Sequence, residues 1–199
     1  MSKLFERASI GSMKLKNRLI MSPMGTASDI DGGFSEQAKD YYVARAKGGF
    51  GLIILACSIA TDKYEPRPNN MLNDFHQVGR LAILVEQCHH YGAKVCAQLS
   101  PGVGRMGYSD PQTPPYAPSA IPCSWFPDLM CRPYSVEQIK DLVQKVGYSS
   151  KLAKAAGDDA IEFQGRGGYL IEQFMAGLWN THTDEYCGSL EKRLTLNNQ

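Results

Sequence analysis

Three times along this chain a short apolar run, stopped by glycine, proline or a small polar residue, gives way to a helix-like segment. A fourth apolar run then follows. Such alternation admits few folds, because strands joined through helices pair in parallel with right-handed crossovers. Residues 18–21 run into Ser22-Pro23-Met24-Gly25 and read as a first strand. Ser35 caps a helix that continues to Lys47 and stops at Gly48-Gly49. Residues 51–56 are apolar without alternation, as expected of a strand buried on both faces. Asp74 and Gln77 have capping-box spacing and open a helix with Val78, Leu81, Ala82, Val85 and Cys88 on one face. Gly92 ends it, and residues 93–99 form the third strand. Ser135 and Gln138 repeat the box, the helix after them runs to Gly157, and residues 159–163 are the fourth strand.

Four such units are half of an eight-unit ring. The expected fold class is therefore α/β, a parallel (β/α) barrel of TIM type, incomplete at about four βα units. Residues 1–199 are read as one domain, the N-terminal half of such a barrel, breaking off at 193–199 in what should be another helix. Between the third strand and the third helix, residues 100–134 hold eight prolines and show no period. Loops of that length are usually lids or disordered segments, and Tyr108, Tyr116, Trp125 and Phe126 favour an ordered lid. Half a barrel leaves two open sheet edges, so the function is expected to belong to a longer parent or an assembly.

Bulk properties narrow the setting. The 199 residues are 43% hydrophobic and 21% charged, enough for one sizeable core. With a formal net charge of +1, nothing suggests nucleic acid or a membrane surface as the main partner. No apolar run is long enough to span a membrane, and the first residues lack a signal-peptide core. Cys57, Cys88, Cys96, Cys123, Cys131 and Cys187 are scattered without C-x-x-C spacing, which argues against a metal site or a secreted disulfide scaffold and for a reducing, cytoplasmic location. His89-His90 does not read as a metal pair, since adjacent helix residues share no face; a solvated helix end is the expectation.

Ligands of parallel α/β folds collect at the carboxyl ends of the strands. Four clusters fall there: Ser22-Pro23-Met24-Gly25-Thr26, Cys57-Ser58, Gln98 with Arg105, and Gln164-Gly165-Arg166-Gly167-Gly168-Tyr169. Small residues let backbone approach a flat ring closely. Gln98 offers an amide donor and acceptor for a heterocycle edge. Tyr169 offers a phenol proton of the kind a general acid supplies. Position alone supports a small-molecule site on a barrel face.

These residues also carry a resemblance. Leu4-Phe5-Glu6, Met13-Lys14-Leu15-Lys16-Asn17-Arg18 and Ser22-Pro23-Met24-Gly25-Thr26 resemble the opening of the Old Yellow Enzyme family of FMN-dependent ene-reductases. The likeness is strongest to the large branch of 2-enoate, 2,4-dienoyl-CoA and bile-acid enoate reductases. Gln98-Leu99-Ser100-Pro101-Gly102-Val103-Gly104-Arg105 is similar to that branch's third-strand motif, and Gly168-Tyr169-Leu170-Ile171-Glu172-Gln173-Phe174 to the motif after its fourth strand. Residues 183–193, Thr-Asp-Glu-Tyr-Cys-Gly-Ser-Leu-Glu-Lys-Arg, follow its signature, with Cys187 where glycine is usual.

The resemblance implies FMN as cofactor. Ser22, Pro23, Met24 and Gly25 would lie against the flavin ring, with Cys57 at a small-residue position of the second strand. Gln98 would bond the pyrimidine edge, and Arg193 would lie near the N1/O2 side or ribityl chain. Tyr169 would protonate Cα of an activated alkene whose Cβ receives hydride. Gln164, Arg166 and Gly167 would face the substrate. The family usually has histidine at position 164 and histidine or asparagine at 167, so polarisation of the substrate departs from its pattern here; His182 also replaces a usual arginine. The implied partners are a small unsaturated acid, thioester or enone, and NAD(P)H as electron source. An iron–sulfur cluster and FAD would belong only to a longer parent, as would the strands that hold the FMN phosphate. A second reading stays open: a truncated or degenerate non-catalytic paralogue acting as a binding or assembly module, possibly a half-barrel that dimerises.

Overall fold

The computed structural model describes residues 3–26, 31–64, 70–107 and 112–198. Its strands are β1 (Ala8–Ile10), β2 (Met13–Leu15), β3 (Ile20–Met21), β4 (Leu52–Ile54), β5 (Ser58–Ile59), β6 (Lys94–Ser100), β7 (Tyr116–Ala117), β8 (Arg132–Pro133) and β9 (Ala160–Phe163). The helices are α1 (Glu36–Lys47), α2 (Val78–His90), α3 (Val136–Ala156), α4 (Leu170–Met175) and α5 (Leu190–Arg193). They divide into two compact units. One contains Met1–Ser58, Pro68–Leu99 and Tyr148–Phe163; the other contains Ile59–Arg67, Ser100–Gly147 and Gln164–Gln199.

The first unit carries the parallel sheet. β3 pairs with β4, β4 with β6 and β6 with β9, all parallel, with Ile53 opposite Met21 and Val95, and Gln98 opposite Glu162. These are the four predicted strands, within one or two residues at most ends. Ile53, Val95 and Leu99 are fully buried, and they join Tyr42 of α1, Leu81 and Leu84 of α2, and Leu152 and Ala153 from the second half of α3 in one core. The predicted helix starts hold. Ser35 Oγ accepts from the Ala38 N–H, and Asp74 and Gln77 form a complete capping box on a single 3-10 turn ahead of α2. Cap bonds of this kind are worth about 1 kcal/mol each and fix where the helix begins.

Two features of this unit differ from expectation. β1 and β2 form an antiparallel hairpin that the sequence did not announce, because three-residue strands are too short to show a period. His89 is not simply solvated: its Nε2 lies 2.6 Å from Asp159 Oδ2. Asp159 also accepts from Lys94 Nζ and the Val95 N–H. Burial alone would raise its carboxyl, but these three partners hold it below the usual range.

The second unit is built from the proline-rich excursion and the C-terminal helices. The described part of the excursion holds a 3-10 turn, β7 and β8; Tyr108 lies outside the described residues. β7 and β8 pair in parallel, and Tyr116 and Tyr134 stack at 5.0 Å with Tyr64 edge-on to both at 5.4 Å. Around them Ile139 and Leu142 of the first half of α3 pack with Leu170 and Phe174 of α4 and with Tyr186. Trp125 and Phe126 remain exposed, at 64% and 51%. Among the described residues no helix is long and apolar enough to cross a membrane.

Candidate functional site

In the first unit, the predicted residues sit at the carboxyl ends of neighbouring parallel strands. Beyond β3, Pro23 is half-buried while Ser22, Met24 and Gly25 are exposed. Their backbone is held by Tyr42, which is fully buried: its hydroxyl donates to Met24 O at 3.1 Å and accepts from the Ala56 N–H at 2.8 Å. Burial pushes the Tyr42 phenol upward, so it stays a neutral strut. At Gly25 an added Cβ would meet nothing within 4 Å, leaving one face of that backbone open. Cys57, just past β4, is half-buried; burial, and then the charge of Glu162, push its thiol up to about 12. It is an uncharged packing surface rather than a nucleophile.

Gln98 lies in β6 and is 4% exposed. Its Nε2 donates to Glu162 Oε1 at 2.5 Å, from the directly opposite position on β9. A carboxylate accepts and cannot donate, so this bond fixes which end of the amide is nitrogen. It leaves the second N–H and the carbonyl oxygen unused by this bond. Glu162 is the residue that sequence reasoning missed. Its signal was a lone acid inside an otherwise apolar strand.

In the second unit, Gln164, Arg166, Gly167 and Tyr169 lie on the segment after β9. Arg166 and Gly167 are exposed, Gln164 and Tyr169 half-buried. Gly167 and Gly168 have φ of +90° and +77°, a left-handed pair that only glycine adopts without strain. A Cβ at Gly167 would come within 3.1 Å of the Tyr169 ring, so the ring lies directly over that glycine. Tyr169 occupies the position before α4, with extended backbone. The turn is bracketed by Gln173, which is 1% exposed: its Nε2 donates to Gly168 O at 2.6 Å and Val103 O at 3.1 Å, and its Oε1 accepts from the Arg105 N–H at 3.0 Å. Glu172 adds a bond from the Gly168 N–H at 2.8 Å.

Gln173 is thus the strut that positions Tyr169, and it too was invisible as such in the sequence. Gln173→Ala is expected to leave three partly buried backbone groups without this partner and destabilise the chain by about 2 kcal/mol, since such a loss costs roughly 1–3 kcal/mol when the group is fully buried. A urea midpoint that falls with unchanged slope would show it; an unchanged midpoint would mean the turn does not need its bracket.

Arg193 ends α5, which Ser189 caps. Its guanidinium packs against Gly177, where an added Cβ would lie 2.5 Å from an Arg193 nitrogen. Its Nε is buried and has no hydrogen-bond partner among the described residues. His182 pairs with Asp184 through Nδ1 at 2.8 Å, and Cys187 donates to Asn180 O at 3.1 Å, so both brace this segment. Among the described residues no group of three or more His, Cys, Asp or Glu side chains could hold a metal ion.

The first unit thus presents backbone, an amide and a thiol at the carboxyl ends of a parallel sheet, and the second holds Tyr169 on a braced glycine turn. The chain belongs to the NADH:flavin oxidoreductase / NADH oxidase family, that of the Old Yellow Enzymes, whose profile matches residues 3–197. It is 36% identical to the cinnamate reductase of Clostridium sporogenes over 200 residues, covering 96% of this chain and 30% of that protein. It is also 36% identical to the NADPH dehydrogenase of Bacillus subtilis over 197 residues, covering 96% and 56%. Among solved structures, the Old Yellow Enzyme of Pichia sp. AKU4542 superposes with a TM-score of 0.87 at 27% identity, covering 98% of this chain and 54% of that one. Morphinone reductase in complex with tetrahydroNAD gives 0.85 at 25% identity, covering 100% and 59%. These relatives are TIM barrels, and the chain has the fold of part of one, as its alternation predicted.

Proposed function

We propose that this chain is the FMN-binding first part of an ene-reductase, a single barrel portion spanning 1–199. The observation that carries this reading is the buried Gln98 amide, oriented by Glu162, on the same sheet as the open Pro23–Gly25 backbone. That donor set suits the edge and face of a flavin ring. Gln98 would bond the pyrimidine edge, Ser22, Pro23, Met24 and Gly25 would line the ring, Cys57 would pack against it uncharged, and Arg193 would offer its buried Nε and fixed positive charge to the N1/O2 side. FMN, when bound, supplies a hydride for the β-carbon of an activated C=C bond. The chain's own contribution is to hold the substrate beside Gln164, Arg166 and Gly167 and to deliver the proton for Cα from the Tyr169 hydroxyl. NAD(P)H would be the electron source, and an unsaturated acid, thioester or enone the substrate.

The test is titration of the purified chain with FMN, followed by absorbance and by quenching of flavin fluorescence. Saturable one-to-one binding that weakens at least about tenfold in Gln98→Leu supports the reading, since loss of hydrogen bonds from a buried amide is worth more than 1 kcal/mol. Binding insensitive to Gln98 would sink it.

A second reading draws on the sheet edges. Among the described residues β3 pairs only with β4 and β9 only with β6, and Ile20, Ile161 and Phe163 are exposed at 42%, 37% and 55%. We propose that further parallel strands complete the sheet there, from a longer chain or from a second copy. A non-catalytic assembly module would use the same edges. Size-exclusion chromatography separates these cases: a monodisperse monomer that melts cooperatively would rule out the need for either complement.

A further inference from the structure

Cys123 and Cys131 are both buried, at 0% and 3% exposure, and their Sγ atoms lie 3.4 Å apart. They sit on a short two-stranded arm. The Cys123 N–H donates to Leu129 O and the Cys131 N–H to Ile121 O, each at 2.8 Å, and Pro122 bridges Met130 antiparallel. The thiols therefore project from one face of the arm, one diagonal step apart. The twist of a two-stranded ribbon brings such a diagonal pair together. A disulfide needs sulfurs at about 2.05 Å, so closure asks for an approach of about 1.4 Å, within the reach of side-chain rotation.

We propose that Cys123 and Cys131 form an intramolecular disulfide that locks this arm, with a low-molecular-weight disulfide such as oxidised glutathione as the oxidant. One protein thiolate attacks a sulfur of the small disulfide and expels a small thiolate. The second protein thiolate then attacks the protein sulfur of that mixed disulfide and expels the other. The cysteines lose two protons and two electrons; the small disulfide gains them and becomes two thiols. Burial, and then contact with Cys123, push the Cys131 thiol up to about 12, while nearby Arg105 pulls the other way. Exchange therefore proceeds when the arm opens, and a bond once closed is shielded from small thiols. The locked segment, residues 124–130, carries exposed Trp125 and Phe126, and Trp125 Nε1 donates to Met106 O at 2.8 Å. The cross-link would thus fix the tip of the lid-like excursion independently of any flavin chemistry.

The experiment uses the whole chain, purified reduced, freed of reductant and incubated with oxidised glutathione in mild urea that opens the arm. Free thiols are counted after denaturation and linkages mapped by mass spectrometry. The expected result is a fall from six free thiols to four, with a peptide linking Cys123 to Cys131. Proteolytic cleavage within residues 124–130 should slow by about tenfold, because closing a loop depopulates its open states. Cys123→Ser and Cys131→Ser should each prevent the cross-link, and Cys187→Ser should leave it intact. Six persistent thiols, a linkage between other cysteines, or unchanged cleavage of the cross-linked arm would each overturn the proposal. None of these readouts depends on FMN, so failure here is separate from failure of the proposed function.

Discussion

In the FMN-loaded protein, Tyr169→Phe should lower the rate of alkene reduction by about a hundred- to ten-thousand-fold, the usual worth of a positioned general acid. Reduction of the protein by NAD(P)H should be untouched, because no proton from Tyr169 enters that half-reaction. KM for the alkene should shift little, since the ring that contacts Gly167 is retained. The expectation rests on the local geometry: two left-handed glycines, an extended residue before α4, and a buried glutamine bracket set the backbone that carries the Tyr169 ring. Stopped-flow measurement of the two half-reactions separates the outcomes. If Tyr169 merely packs against Gly167, both will survive in Tyr169→Phe. Gly167→Ala is a companion test, since its Cβ would strain a φ of +90° and press on the ring at 3.1 Å. It should mimic the loss while keeping the hydroxyl.

The second large effect concerns stability. Asp158 sits in the turn between α3 and β9, and neither of its carboxylate oxygens, both buried, has a hydrogen-bond partner among the described residues. Burial first, then the charge of Asp159, raise it from 3.8 to about 8. Between these values the folded chain holds the proton and the unfolded chain has released it. Folding therefore takes up a proton there, and stability falls as pH rises from about 4 to about 8. The full shift corresponds to an upper bound of about 6 kcal/mol, of which relaxation of the turn should leave about 2 kcal/mol. Asp158→Asn removes the charge and keeps the shape. It should raise the melting midpoint at pH 8 by about 5 °C and change it little at pH 4. Equal shifts at both pH values would mean that packing, not ionisation, sets the effect.

These two residues also show what a sequence reader can and cannot see. Helix starts were legible because a cap is a local bargain: Ser35 with Ala38, Asp74 with Gln77, Ser135 with Gln138 each involve side chains three positions apart. Strands on both faces of a core were legible as unbroken apolar runs. Asp158 and Asp159, by contrast, are identical neighbours with opposite fates. One carboxylate meets Lys94, His89 and the Val95 N–H, and the other has no hydrogen-bond partner among the described residues. No pattern within the strand distinguishes them, because the partners arrive from β6 and α2. The same holds for the pairing of Gln98 with Glu162, for the Gln173 bracket, and for His89, whose reading as a solvated end failed on a contact seventy residues away. The candidate residues were proposed from their place at strand ends and from family motifs, while the struts behind them required the three-dimensional register.

The Gln98–Glu162 contact has a consequence for how such a chain can change over generations. The two positions face each other on adjacent strands and share a single hydrogen bond of fixed polarity. Glutamate at 98 would set two carboxylates against each other. Glutamine at 162 would free the amide to turn end for end, and its remaining donor and acceptor would trade places. Neither position can drift alone without scrambling what the other presents, so the pair should be inherited as one unit, and descendants should carry both residues or replace both together.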